Sequence, residues 1–262
     1  MPFTLAAWSQ SVDPAGAFVA LTAVADQHLT VVAANIQVPT LNRVIAAAAG
    51  VETTAAQQAR ITAPSRRVLA LQRIAPTQGN AAAASLPADP QHVMDLRASP
   101  LLMVTGEQAN FEINSDPAVV QIQWGLVWFA DGPIAPIAGP MFTIRATSAT
   151  ALVAQTWTNV PLVFAENLPR GRYQVVGFRF QSANAIAGRL VFVGAGALGW
   201  RPGALGTTND RHLEDDMFRY GGLGVWGEFE DIEPPTVDGL AAAADATQVV
   251  YFDLIQIRAG PA

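Results

Sequence analysis

The sequence predicts a mainly β protein, a jelly roll or β-sandwich arranged as two β domains, with one notable helix in the N-terminal half. Short apolar runs recur between Gly, Pro and Asn turns at intervals of about 8–12 residues, the spacing of sandwiches and jelly rolls. Hydrophobic residues make up 51% of the chain and charged residues 14%, against about 25% charged in an average soluble protein. That balance excludes intrinsic disorder, which needs low hydrophobicity and high net charge. At 262 residues and roughly 100–200 residues per domain, one large or two small domains fit.

In chain order, Phe18 to Thr22 and Leu29 to Val32 read as strands. Leu41 to Gln58 is Ala-rich and follows a capping Thr40, so it reads as a helix, split at Gly50. Arg66 to Ile74 is apolar at alternate places and reads as a strand, whereas Gln78 to Pro90 is a loop or linker. Asn110, Asn114, Ser115, Asp116 and Pro117 cluster at a boundary, which divides the chain into 1–115, an N-terminal β domain with the inserted helix, and 116–262, a C-terminal jelly-roll domain.

Beyond it, Val119 to Phe129 alternates and closes in the turn Asp131-Gly132-Pro133. Met141 to Ala146, Leu152 to Trp157, Tyr173 to Phe180, Arg189 to Val193 and Val249 to Ile257 complete the expected strands. Trp124 and Trp128 are four apart, so a regular strand points both to one face. No repeat is visible in the residues, yet two halves of similar β type can share a fold without sharing sequence.

The 15 basic residues are all Arg and stand against 21 acidic ones, a formal net charge of −6. The first forty residues contain no Arg. Both facts argue against nucleic-acid binding by counterion release, which needs clustered cations. There are no cysteines, so disulfides and thiolate metal sites are excluded. No secretory signal is expected, since Met1-Pro2-Phe3-Thr4 carries no positive charge, and Pro133, Pro136 and Pro140 break the most apolar region.

Two stretches match the dinucleotide-binding glycine pattern, Gly194 to Gly199 and Gly222 to Gly227. That chemistry needs a helix to start at the glycines, so that its amides meet a pyrophosphate. The first pattern runs into Trp200-Arg201-Pro202-Gly203 and the second into Glu228-Phe229-Glu230, so both read as bends in a β protein. The polar cluster Asn209 to Asp216 has adjacent rather than alternate carboxylates, unlike a calcium loop. His28, His92 and His212 are far apart, and no nucleophile elbow or zinc motif is present. No enzymatic activity and no cofactor are expected.

The Trp-rich C-terminal half offers a subunit interface, a core, or a sugar-stacking platform. The segment Arg201 to Phe229 reads as a long excursion between strands. Its Trp200, Arg201, Arg211, Phe218, Arg219, Tyr220, Trp226 and Phe229 form the candidate subunit interface, because aromatics with Arg are the usual anchors of buried contacts. The alternative is a cover folded back over its own sandwich.

The succession Leu168-Pro169-Arg170-Gly171-Arg172-Tyr173, Arg189-Leu190-Val191-Phe192, Arg201-Pro202-Gly203 and Phe218 to Phe229, with Ile61 to Arg67 upstream, resembles the major capsid proteins of small icosahedral bacterial or archaeal viruses. The resemblance implies a double jelly roll, self-assembly through trimeric capsomers into a virion shell, and no catalysis. It implies as partners other copies of the chain, other virion proteins such as a vertex protein, and an internal membrane. At this length one roll is reduced, or a single roll carries an N-terminal extension. The alternative function is a carbohydrate-binding module or lectin on the Trp-rich half, and a hydrolase with converging carboxylates ranks below both.

Overall fold

A computed structural model describes residues 2–13, 16–52, 56–66, 73–74, 76, 93–115, 120–193, 199–207 and 216–260. The described residues are mainly β, 55% strand and 2% helical. The strands of the first half are β1 (Phe3–Val12), β2 (Val19–Ala20), β3 (Val31–Val32), β4 (Asn35–Gln37), β5 (Arg43–Val51), β6 (Ala56–Thr62), β7 (Arg73–Ile74), β8 (Val93–Asp95), β9 (Leu101–Leu102), β10 (Gln108–Ser115) and β11 (Gln121–Ala130). Those of the second are β12 (Met141–Ser148), β13 (Thr158–Val160), β14 (Val163–Phe164), β15 (Gly171–Gln181), β16 (Ala185–Val191), β17 (Gly203–Thr207), β18 (Gly227–Glu230), β19 (Thr236–Ala241) and β20 (Gln248–Ala259). Helical structure among the described residues is confined to two 3-10 turns, Pro64–Arg66 and Asp216–Phe218.

Three sheets form. Sheet 1 runs β1-β11-β5-β8, with β9 beside β8 on β5. Sheet 2 runs β3-β4-β10-β6-β7, with β2 on the same edge of β10 as β4. Sheet 3 has nine strands in the order β13-β19-β16-β17-β15-β20-β12-β14, with β18 on β15. Within it β17 joins β16 antiparallel and β15 parallel; the sheets of the protein include a curled half-barrel.

Sheet 1 is covered on both faces. Along β11, Val127 and Phe129 join the core shared with Phe111 and Ile113 of sheet 2, while Trp124, Leu126 and Trp128 join the core shared with sheet 3. Trp124 and Trp128 do share a face, as their spacing predicts. Along β5, Ala47, Ala49 and Val51 face the first core, and Ala46 and Ala48 the second. The small side chains bring both layers close.

The expected helix over Leu41 to Gln58 is therefore absent: the segment is β5 and the start of β6, with residues 53–55 outside the described set. A strand buried on both faces shows no polar alternation, and alanine fills either face, so the Ala run carries no period and reads as a helix by propensity alone. Gly50 does not split a helix. It makes room for a ring, since a Cβ there would lie 2.1 Å from Trp124 Cζ2. Gly50→Ala is accordingly expected to cost about 1–3 kcal/mol by overpacking, measurable by urea denaturation; an unchanged midpoint would show that the Trp124 ring can move.

Other boundaries shift. Phe18 to Thr22 shrinks to β2, Leu29 to Val32 to β3, and Arg66 to Ile74 to the 3-10 turn and β7, with residues 67–72 outside the described set. Leu152 to Trp157 forms only the bridge Ala154–Ala241. The Gln78 to Pro90 loop lies outside the described residues. The expected division near residue 115 falls between β10 and β11, and β11 pairs with β1 and β5 of the first half.

Candidate functional site

The segment Arg201 to Phe229 is not strandless: it contains β17 and runs into β18. Three of its aromatic residues are inside the chain. Phe218, Trp226 and Phe229 belong to the core of sheet 3. Trp226 packs edge-on against Phe3 of β1 at 5.0 Å, and Phe218 lies 5.1 Å from Trp128 of β11. The Trp128 indole Nε1 donates to the Gly203 carbonyl at 2.7 Å, and the Leu5 amide to the Arg201 carbonyl at 2.9 Å. These residues thus seal the seam between sheet 1 and sheet 3.

Arg219 is also internal. Its Nε and Nη2 donate to Asp253 of β20 at 2.7 and 3.0 Å, and Asp253 further accepts the Thr143 hydroxyl at 2.6 Å and the Tyr220 amide at 3.0 Å. Burial alone would push the Asp253 carboxyl up; these hydrogen bonds and the Arg219 charge outweigh it and hold the group below the usual carboxylate range. Tyr220 is the one described member of the expected interface set that is exposed, at 58%. Trp200 is half-buried and Arg211 lies outside the described residues.

A cavity of about 530 Å³ with an ionisable lining opens between the two halves. Asp26 and His28 reach it from the loop between β2 and β3; Arg189 of β16, Asp238 of β19, Trp157 and Arg201 line it from the second half. Arg189 pairs with Asp26 across the seam and with Asp238 at 3.1 Å, and its guanidinium lies 4.1 Å from the Trp157 ring centre. Asp26 Oδ1 also accepts the backbone amides of His28 and Leu29.

Arg201 differs. It is 8% exposed, and its Nε and Nη1 have no acceptor among the described residues; the Trp157 indole Nε1 has none either. Burial, and then the Arg201 charge, lower the His28 imidazole from its ordinary value, against the pull of Asp26. The same carboxylates, Asp238 and then Asp26, act on the Arg201 charge, against the burial that lowers it. Sequence reasoning singled out Arg201 as an interface anchor but gave no signal for Asp26 or Asp238, whose meeting with Arg189 depends on pairing across 163 and 49 positions.

The remaining candidates resolve simply. Gly222 to Gly227 runs from a turn into β18, with Gly224 at φ +67°, and no helix starts there. Residues 194–198, His92 and His212 lie outside the described residues, as does the polar cluster except Asp216, which opens a 3-10 turn. Trp124, Trp128 and Trp226 are buried and cannot stack a sugar; Trp157 and Trp200 are half-buried. The chain matches no protein-family model, and comparison with curated proteins and with solved structures finds no match.

Proposed function

We propose that the chain is a structural shell subunit, a double-jelly-roll capsid protein that self-assembles and catalyses nothing. The observation that carries this reading is the strand pairing order. Count β2 and β4, which share one edge of β10, as one position, set aside the two-residue edge strands β3, β9 and β14, and number β1, β2/β4, β5, β6, β7, β8, β10 and β11 from one to eight. Sheet 1 then reads 1-8-3-6 and sheet 2 reads 2-7-4-5. Number β12, β13, β15, β16, β17, β18, β19 and β20 in the same way. Their pairings are again 1-8-3-6, through β12-β20-β15-β18, and 2-7-4-5, through β13-β19-β16-β17. This is the order that results when a long antiparallel hairpin of four strand pairs rolls up, the double Greek key of a jelly roll. In this reading the first roll runs through β11 and the second begins at β12, and neither is a mere extension.

Jelly rolls serve both viral shells and lectins, so fold alone does not choose between them. The low charge favours the shell, because a subunit that commits its surface to copies of itself needs few groups to face water. The exposed apolar side chains Leu102, Val104, Val163 and Ile232 are compatible with such contacts. Trimeric capsomers, a vertex protein and an internal membrane as partners, and a place in the virion, follow only from the capsid resemblance. Size-exclusion chromatography with light scattering and negative-stain microscopy of the purified chain test the reading. Trimers or closed particles are expected. A stable monomer that binds glycans on an array would replace this reading with the lectin.

A further inference from the structure

The cavity between the two halves holds a charge balance that one proton can upset, whatever the protein's function. Its wall carries two cations, Arg189 and Arg201, and two carboxylates, Asp26 and Asp238. Both carboxylates pair with Arg189, and both pull on the Arg201 charge. The remaining ionisable group on that wall is the half-buried His28 imidazole. While it is neutral the cations and carboxylates match. A proton on it leaves one positive charge unmatched, in a place where burial already disfavours charge.

The five groups come from both halves. Asp26 and His28 stand on the loop between β2 and β3; Arg189 lies on β16, Asp238 on β19, and Arg201 just before β17. The Asp26–Arg189 ion pair joins that loop to the second half. Asp26 Oδ1 also accepts the His28 amide at 2.7 Å and the Leu29 amide at 3.3 Å, a turn that fixes the histidine two positions from the ion pair. Leu29, 5% exposed, anchors the turn in the core of the first half. Of the charges that face the imidazole, Arg201 and Arg189 oppose its proton, whereas Asp26 and Asp238 favour it. Burial and Arg201 prevail.

We propose that His28 is an acid-sensitive latch: when its imidazole takes up a proton, repulsion from Arg201 and Arg189 loosens the β2–β3 loop from the second half. A histidine that changes charge at such a boundary is a general means of making an interface sense pH. The direction follows from linkage. The folded imidazole lies below its unfolded value of about 6.5, so the detached loop binds the proton first. The stability that depends on His28 is therefore complete above about pH 6.5. It is lost as pH falls from there through the folded pKa. Asp253 acts in a lower window, below its unfolded value of about 3.9.

The test is urea denaturation and amide hydrogen exchange of the full chain and of His28→Gln, at about pH 7.5 and about pH 5.5, either side of the imidazole's ordinary range. Glutamine is polar and carries no charge at either pH. His92 and His212 are present in both proteins, so their titration cancels in the comparison. Between the two pH values the wild-type midpoint is expected to fall relative to that of His28→Gln. Over the same interval the amides of residues 28 and 29, which donate to Asp26, are expected to lose more protection in the wild type than in the variant. Midpoints that move in parallel overturn the proposal. So does a relative fall in the midpoint with no relative loss of protection at those amides, because the proton then acts elsewhere than on the loop. Should His28→Gln fail to fold, the assigned His28 ring resonance of the wild type decides by NMR titration. A midpoint below about 6.5 is expected, and one at or above it overturns the latch.

Discussion

Asp253→Ala is expected to destabilise the protein by about 3–5 kcal/mol, the usual cost of leaving one partner of a buried ion pair alone. Asp253 is 0% exposed and stands at the centre of the second half, where it ties three separate pieces of chain. Thr143 of β12 donates to Oδ1, and Arg219 and the Tyr220 amide from the segment before β18 donate to the carboxylate as well. The geometry around it leaves no room for a substitute: Gly177 of β15 faces the carboxylate so closely that a Cβ there would lie 2.2 Å from Oδ2. Tyr220 adopts φ +50° to present its amide, a conformation that costs energy for a non-glycine residue and persists here because the carboxylate accepts that amide. Loss of the carboxylate removes these ties and leaves the Arg219 guanidinium, 5% exposed, without its ion pair.

The same group sets a pH dependence. The folded carboxyl lies below its unfolded value, so its contribution is complete above the unfolded pKa of about 3.9 and is lost as pH falls through the folded pKa. Urea denaturation of wild type and Asp253→Asn across that range is expected to show a gap that is widest near neutral pH and narrows in acid. A gap that does not change with pH would mean that the carboxylate acts only through its shape.

Trp128→Ala is expected to cost about 3–5 kcal/mol, and Trp128→Phe clearly less. Trp128 is 0% exposed and lies where sheet 1 meets sheet 3. Truncation opens a cavity between Phe218 and β11 and leaves the Gly203 carbonyl without the indole that donates to it. Phenylalanine keeps most of the apolar contact and loses the hydrogen bond, so the difference between the two variants separates packing from the polar tie. If the alanine variant unfolds within about 1 kcal/mol of wild type, the seam is not a cooperative part of the fold. Two independent transitions in the denaturation of that variant would report instead that the halves separate before either unfolds.

How much of this was legible in the residues varies by element. The strands β11, β12, β15, β16 and β20 were placed to within a few residues, because each joins an alternating or β-branched run to a clear turn. The shared face of Trp124 and Trp128 followed from the pleat alone. β5 was misread as a helix because its environment is not local: two layers cover it, and Ala46 to Ala49 carry no period to show either. The Arg201 to Phe229 segment stood out by composition, rich in aromatics and Arg, but composition does not say whose surface those groups meet. Phe218, Arg219, Trp226 and Phe229 find their partners within the same chain.

The sequence by itself determined the β class, the positions of the strongest strands, the absence of a dinucleotide-binding turn at Gly222 to Gly227, and the absence of cysteine chemistry. Those properties depend on neighbours in the chain, through side-chain period, turn chemistry and composition. The tertiary structure alone decided that the pairing order repeats in two halves that share no visible sequence, and that Asp26 meets Arg189 across 163 positions. It alone decided that Arg201 is buried, with its Nε and Nη1 lacking an acceptor among the described residues. Each of these rests on which distant surfaces cover one another, and that is settled by the packing of whole sheets, for which a run of residues carries no local signature.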